Sequence, residues 1–103
     1  MAKQIYNVKL FGKSQVHEPE VILEDISINL WSIDGGQTWE NKNAEVDVSG
    51  QLQIEMSCKA VSGTSWKFII INKLLNSKVL DDSGQTGDQG TVNYSKRNYN
   101  VNP

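Results

Sequence analysis

Asp81, Asp82, Ser83, Gln85 and Asp88 form an acidic stretch of the residue types that a hard cation takes. Calcium is held by roughly six to eight oxygens, and three carboxylates with loop carbonyls could supply them at the end of a β-domain. The spacing is not that of an EF-hand: counted from Asp82, the twelfth position is Asn93 rather than Glu. A solvated turn uses the same Asp, Ser and Gly, so Asp81, Asp82 and Asp88 stand as candidate calcium ligands beside a plain turn. Other reactive chemistry is thinner. Glu18/Glu20 and Glu24/Asp25 are paired carboxylates, but nothing sets either pair across a cleft as glycoside hydrolysis requires; they read as surface charge. His17 lies beside Pro19 in a polar stretch. Cys58 falls on the apolar side of its strand, so pairing it with His17 would pull the thiol out of the core, and zinc would find too few nitrogen and sulfur ligands. The expectation is a protein without catalytic residues.

Aromatic residues beside amides offer a different chemistry. Trp31 follows Asn29 and Ser27 on the face opposite Ile26, Ile28 and Leu30; Tyr94 and Tyr99 lie near Asn93, Asn98 and Asn100. An indole or phenol flanked by amides suits stacking on a sugar ring and equally suits a protein interface. The candidate binding residues are Trp31, Asn29, Tyr94, Tyr99 and Asn98. Burial of Trp31 under a second sheet is the structural alternative. Trp66, which shares a face with Phe68 and Ile70, reads as core.

The totals set the frame. A chain of 103 residues fits one domain with a single modest core. The net charge of −2 and scattered Lys and Arg leave no basic field for nucleic acid or an anionic membrane. One cysteine excludes an intrachain disulfide, which is compatible with a reducing compartment. Met1-Ala2-Lys3-Gln4 leads straight into a strand pattern without an apolar leader. No apolar run approaches the ~20 residues of a membrane span. The expected location is the cytoplasm, or outside by a route with no cleaved signal.

These residues must be held by strands. From Gln51 to Ala60 the chain alternates without a break, with Leu52, Ile54, Met56 and Cys58 on one side and Gln53, Glu55, Ser57 and Lys59 on the other. A turn at Ser62-Gly63-Thr64 precedes residues 66–71, apolar at nearly every position, and the two segments read as a central hairpin. Ser49-Gly50 signals a second hairpin, from the alternating set Ala44, Val46 and Val48. Ile5–Phe11 predicts the first strand and residues 14–20 a loop. Residues 21–33 read as a strand broken near Glu24-Asp25. A turn at Asn76-Ser77 leads into a short strand over 78–80, residues 81–90 read as a loop, and 91–95 as a strand with a possible edge strand in the tail. Seven or eight short strands without a helix predict an all-β, antiparallel β-sandwich, with a small β-barrel as the alternative.

Ser32-Ile33-Asp34-Gly35-Gly36-Gln37-Thr38-Trp39 resembles the Asp-box of sialidases and related propeller proteins, S-x-D-x-G-x-T-W, with every defining position filled. The resemblance covers residues 32–39 alone. It implies a hairpin rather than glycoside cleavage, because in that family the box lies away from the catalytic centre. A propeller requires several four-stranded blades, and this chain has material for two at most.

Three functions compete. The first is a non-catalytic, lectin-like module that binds carbohydrate. The second is a structural or toxin-like protein that assembles with copies of itself through sheet edges or Trp31. The third is a calcium-dependent module for a membrane or partner surface.

Overall fold

The computed structural model describes residues 2–33, 35–48, 52–87 and 90–98, with side chains from Lys3 to Tyr94 within those ranges. Among them are nine strands: β1 (Ala2–Gly12), β2 (His17–Leu23), β3 (Ile26–Ile28), β4 (Trp31–Ser32), β5 (Thr38–Val48), β6 (Leu52–Lys59), β7 (Ser65–Asn72), β8 (Ser77–Gln85) and β9 (Thr91–Asn98). They form two antiparallel sheets, ordered β4-β5-β1-β7-β8 and β3-β2-β6-β9. The protein is a β-sandwich, and neither sheet closes into a barrel. No described helix is long and apolar enough to cross a membrane.

Strand alternation builds the core. Tyr6, Val8 and Leu10 of β1 and Leu52, Ile54 and Met56 of β6 are buried in one core, while the intervening residues of both strands reach the outer faces. Each large apolar side chain buried in this way contributes roughly 1.5–3 kcal/mol. Cys58 lies in the same core, and burial pushes its thiol up to about 11.

Two expected hairpins are not formed. β6 pairs with β2 and β9, whereas β7 pairs with β1 and β8, so the segment between them arches from one sheet to the other. The link from β5 to β6 also changes sheets, since β5 pairs with β1 and β4. Two successive amphipathic strands can meet edge to edge or face to face across a core; alternation is the same in both cases. The connector after β6 is set for the arch by buried threonines. The Thr64 and Thr86 hydroxyls both donate to the Val61 carbonyl, at 2.6 and 2.7 Å, and the Thr64 N–H reaches Thr86 Oγ1 at 2.9 Å.

The true hairpins are elsewhere. β2 turns into β3 at Glu24-Asp25, where the sequence suggested a break, and both residues have positive φ (51° and 65°). That is the mirror-type turn of a two-residue hairpin. β7 turns into β8 through residues 73–76, capped by Asn72 Oδ1, which accepts from the Leu74 and Leu75 N–H groups at 3.0 and 3.1 Å. β8 then runs to Gln85 instead of ending near residue 80. Turn-type residues are tolerated there because β8 is an edge strand whose residues 80–85 pair in regular register with β7 on one side. Gly84 is required at its place, since a Cβ would meet the Trp66 ring at 2.8 Å.

Candidate functional site

The outer face of the four-stranded sheet carries the clearest concave surface. Register places Glu20, Ser57 and Asn93 side by side on β2, β6 and β9, with Lys59 beside Thr91 in the next row. Asn29, one residue beyond the end of β3, closes the row on the β3 side. These residues line an open groove of about 820 Å³ together with Glu18, Pro19 and Leu30; Ile28, Cys58 and Val92 border it, but their side chains are buried in the core. A smaller adjoining groove of about 280 Å³ continues past Glu20 and Ser57 to Ile22 and Glu55.

An irregularity in β2 shapes the wall. The β2–β6 register slips between His17 and Glu20, and Glu18 adopts φ 50° just before Pro19. Pro19 lacks a ladder donor, so the extra residue is accommodated as a bulge. The bulge brings Glu18 Oε2 to 3.0 Å from Lys59 Nζ. The residue types of this groove were legible as the wet side of β6, which carries Ser57 and Lys59. Its assembly was not, because β2 and β9 reach β6 from distant parts of the chain.

The candidate residues from the sequence are dispersed. Asn29 lines the groove, and its carbonyl accepts from Asn41 Nδ2 at 2.9 Å. Trp31 is 59% exposed, so no second sheet covers it, but it starts β4 and belongs to the outer face of the other sheet, opposite Glu40. Tyr94 points into the sandwich. Its ring meets Trp66 and Phe68 edge-on at centroid distances of 6.0 and 5.8 Å, and its hydroxyl donates to Asp82 Oδ2. Burial, then that bond to Asp82 and its charge, raise the Tyr94 pKa. A ring held this way is core, not a stacking platform. The backbone of Asn98 pairs with Leu52; its side chain and Tyr99 lie outside the described residues.

Asp81 and Asp82 are not brought together. They are successive strand residues and face opposite sides of the sheet. Asp81 is outside, 3.0 Å from Lys78 Nζ and 3.9 Å from Lys67 Nζ. Its hydrogen bond from Lys78, with Lys67 also nearby, holds its carboxyl below the usual range. Asp82 faces inward to Tyr94, and Asp88 lies outside the described residues. The described residues contain no group of three acidic, His or Cys side chains placed to share a metal.

The segment resembling an Asp-box forms the turn of the β4–β5 hairpin, with Ser32 opposite Trp39. Gly36 N–H donates to Ser32 Oγ at 2.6 Å, and Trp39 Nε1 donates to the carbonyls of Gly36 and Val16 at 3.0 and 3.1 Å. Gly35 and Gly36 take φ 71° and 106°, which favours glycine. The motif's Ser, second Gly and Trp therefore hold a turn; Asp34 lies outside the described residues. The chain matches no family model, no curated protein and no solved structure.

Proposed function

We propose that the protein is a non-catalytic module that binds neutral carbohydrate in the groove of the four-stranded sheet. The observation that carries this reading is the row Asn29, Glu20, Ser57 and Asn93 along an open, mainly polar groove flanked by the half-buried Pro19 and Leu30. A volume of about 820 Å³ is within the range of small-ligand sites. Amide, hydroxyl and carboxylate side chains supply the mixed donors and acceptors that sugar hydroxyls require. Apolar C–H faces of a sugar would rest on Pro19 and Leu30. One of the two groove carboxylates, Glu18, is already tied to Lys59, so the wall has no surplus cation for a phosphate, sulfate or uronate.

Binding without turnover is favoured by the same geometry. Glu18 and Glu20 are on one strand, and no second carboxylate faces either across the larger groove among its lining residues. A pair flanking a scissile bond is the arrangement that hydrolysis needs.

Calorimetric titration with a panel of neutral and anionic oligosaccharides tests this reading. Saturable heat is expected with a neutral class and is lost in Asn93→Ala, an exposed groove residue. Absence of binding across the panel, or unchanged binding by Asn93→Ala and Glu20→Gln together, would sink the proposal.

A further inference from the structure

The outer face of the five-stranded sheet is a separate surface. One row crosses all five strands in register: Trp31, Glu40, Lys9, Ile69 and Asp81. The row beside it places Phe11 next to Lys67. Trp31, Phe11 and the adjacent Ile33 are all exposed, so apolar surface and charge alternate across the sheet. Most charges here are satisfied within the chain: Lys3 lies 3.7 Å from Glu45, and Asp81 is shared by Lys67 and Lys78. Lys9 and Glu40 are directly opposite each other on β1 and β5, yet they form no ion pair among the described residues. Both are half-buried and flanked by the apolar Trp31 and Ile69.

We infer that this face is the interface between two copies of the chain. A face that offers one cation beside one anion has no net attraction for a polyanion or a polycation. It is complementary to its own image, because a two-fold axis sets the Lys9 of each copy against the Glu40 of the other. The same operation exchanges β4 with β7, so it sets Trp31 of each copy over Ile69 of the other and lays Phe11 on the β5 strand of the other copy. Trp31 is exposed on β4, an edge strand of this sheet, and Trp is among the residue types that carry much of an interface's affinity. Among the described residues of the opposite sheet, the outer rows Ser27, Ile22, Glu55 and Glu20, Ser57, Asn93 hold no exposed aromatic residue.

Sedimentation velocity over a broad concentration range tests the inference, with Glu40→Lys, Lys9→Glu and Trp31→Ala as variants. The wild-type chain is expected to shift from monomer to dimer as concentration rises. Glu40→Lys creates two Lys–Lys contacts and Lys9→Glu two Glu–Glu contacts, so each should weaken dimerisation by roughly a hundredfold, tenfold per contact. Mixing these two variants restores opposite charges at both contacts and should restore a heterodimer. Trp31→Ala, in which no charge changes, should weaken the dimer independently, and far-UV dichroism checks that each variant is folded. A wild-type chain that stays monomeric overturns the inference. So does a dimer that is indifferent to all three substitutions, or a mixture that fails to reassociate when each charge variant alone has dissociated.

Discussion

Replacing Tyr94 by Phe isolates one hydroxyl. Tyr94 is on β9, the edge of the four-stranded sheet, and Asp82 is on β8, the edge of the five-stranded one. Their hydrogen bond therefore closes one side of the sandwich between two strands that belong to different sheets. Phe keeps the edge-on ring contacts to Trp66 and Phe68, so packing is conserved and only the bond is lost. A hydrogen bond to a charged group is worth about 1.5–3 kcal/mol. Asp82 is only half-buried and water can replace part of the interaction, which brings the expected loss to about 1–2 kcal/mol. For a chain of this size that corresponds to a melting point lower by roughly 4–15 °C. Urea unfolding should show the same loss as a lower midpoint at an unchanged slope. Asp82→Asn, which keeps an acceptor but removes the charge, should fall between the two. A Tyr94→Phe protein within about 0.5 kcal/mol of wild type would show that the two sheet edges are held by ring packing and not by the Tyr94–Asp82 bond.

Stability should decline at alkaline pH. Burial raises Cys58 to about 11, and burial, with the Glu24 charge, raises Tyr6 to about 12. Both groups keep their protons in the folded state at pH values where the unfolded chain releases them. Their contribution is thus complete below the ordinary thiol and phenol values and is lost as pH rises from about 9 to 12, roughly 2–3 kcal/mol for each group. Urea midpoints measured between pH 8 and 11 should fall, and in Cys58→Ala the fall should begin about one pH unit later; flat midpoints would contradict the burial argument. At the β2–β3 turn, Asp25→Gly should raise stability by about 0.5–1 kcal/mol, because the second residue of this turn type favours glycine and Asp25 holds φ 65°. A lower melting point for that variant would mean that the Asp25 side chain stabilises the turn.

Local pattern revealed faces, and only distant partners revealed sites. The alternation from Leu52 to Cys58 correctly separates buried from wet residues, and the turn chemistry at Glu24-Asp25 and Asn76 marks real reversals. Alternation is blind to whether the next strand lies beside or across, which is why residues 51–71 read as a hairpin although they bridge two sheets. The same blindness hid the groove. Ser57 is legible as an outward residue, but Glu20 and Asn93 become its neighbours only through pairings with strands more than thirty residues away along the chain. Tyr94 shows the converse limit: an aromatic among amides looks like a sugar platform, whereas strand parity turns it toward Trp66. Asp81 and Asp82 fail as a joint site for the same reason of parity, since one step along a strand reverses the side chain.

The arch between β6 and β7 also determines how the two surfaces relate. It carries the chain from the sheet that bears the groove to the sheet that bears Trp31, so the two lie on opposite outer faces of one sandwich. A two-fold dimer through the five-stranded sheets would then leave both grooves free and directed away from each other. Such a dimer would gain little on a short soluble oligosaccharide, which cannot span both sites. Two grooves that face opposite ways cannot both engage one flat surface, so the dimer gains no avidity there, but it can bridge two polysaccharide chains. A dimer-breaking Glu40→Lys chain should consequently keep its affinity for the short sugar in solution and lose the ability to cross-link a soluble polysaccharide, read as turbidity. Equal loss in both assays would instead place Glu40 in the sugar site, which its position on the far sheet opposes.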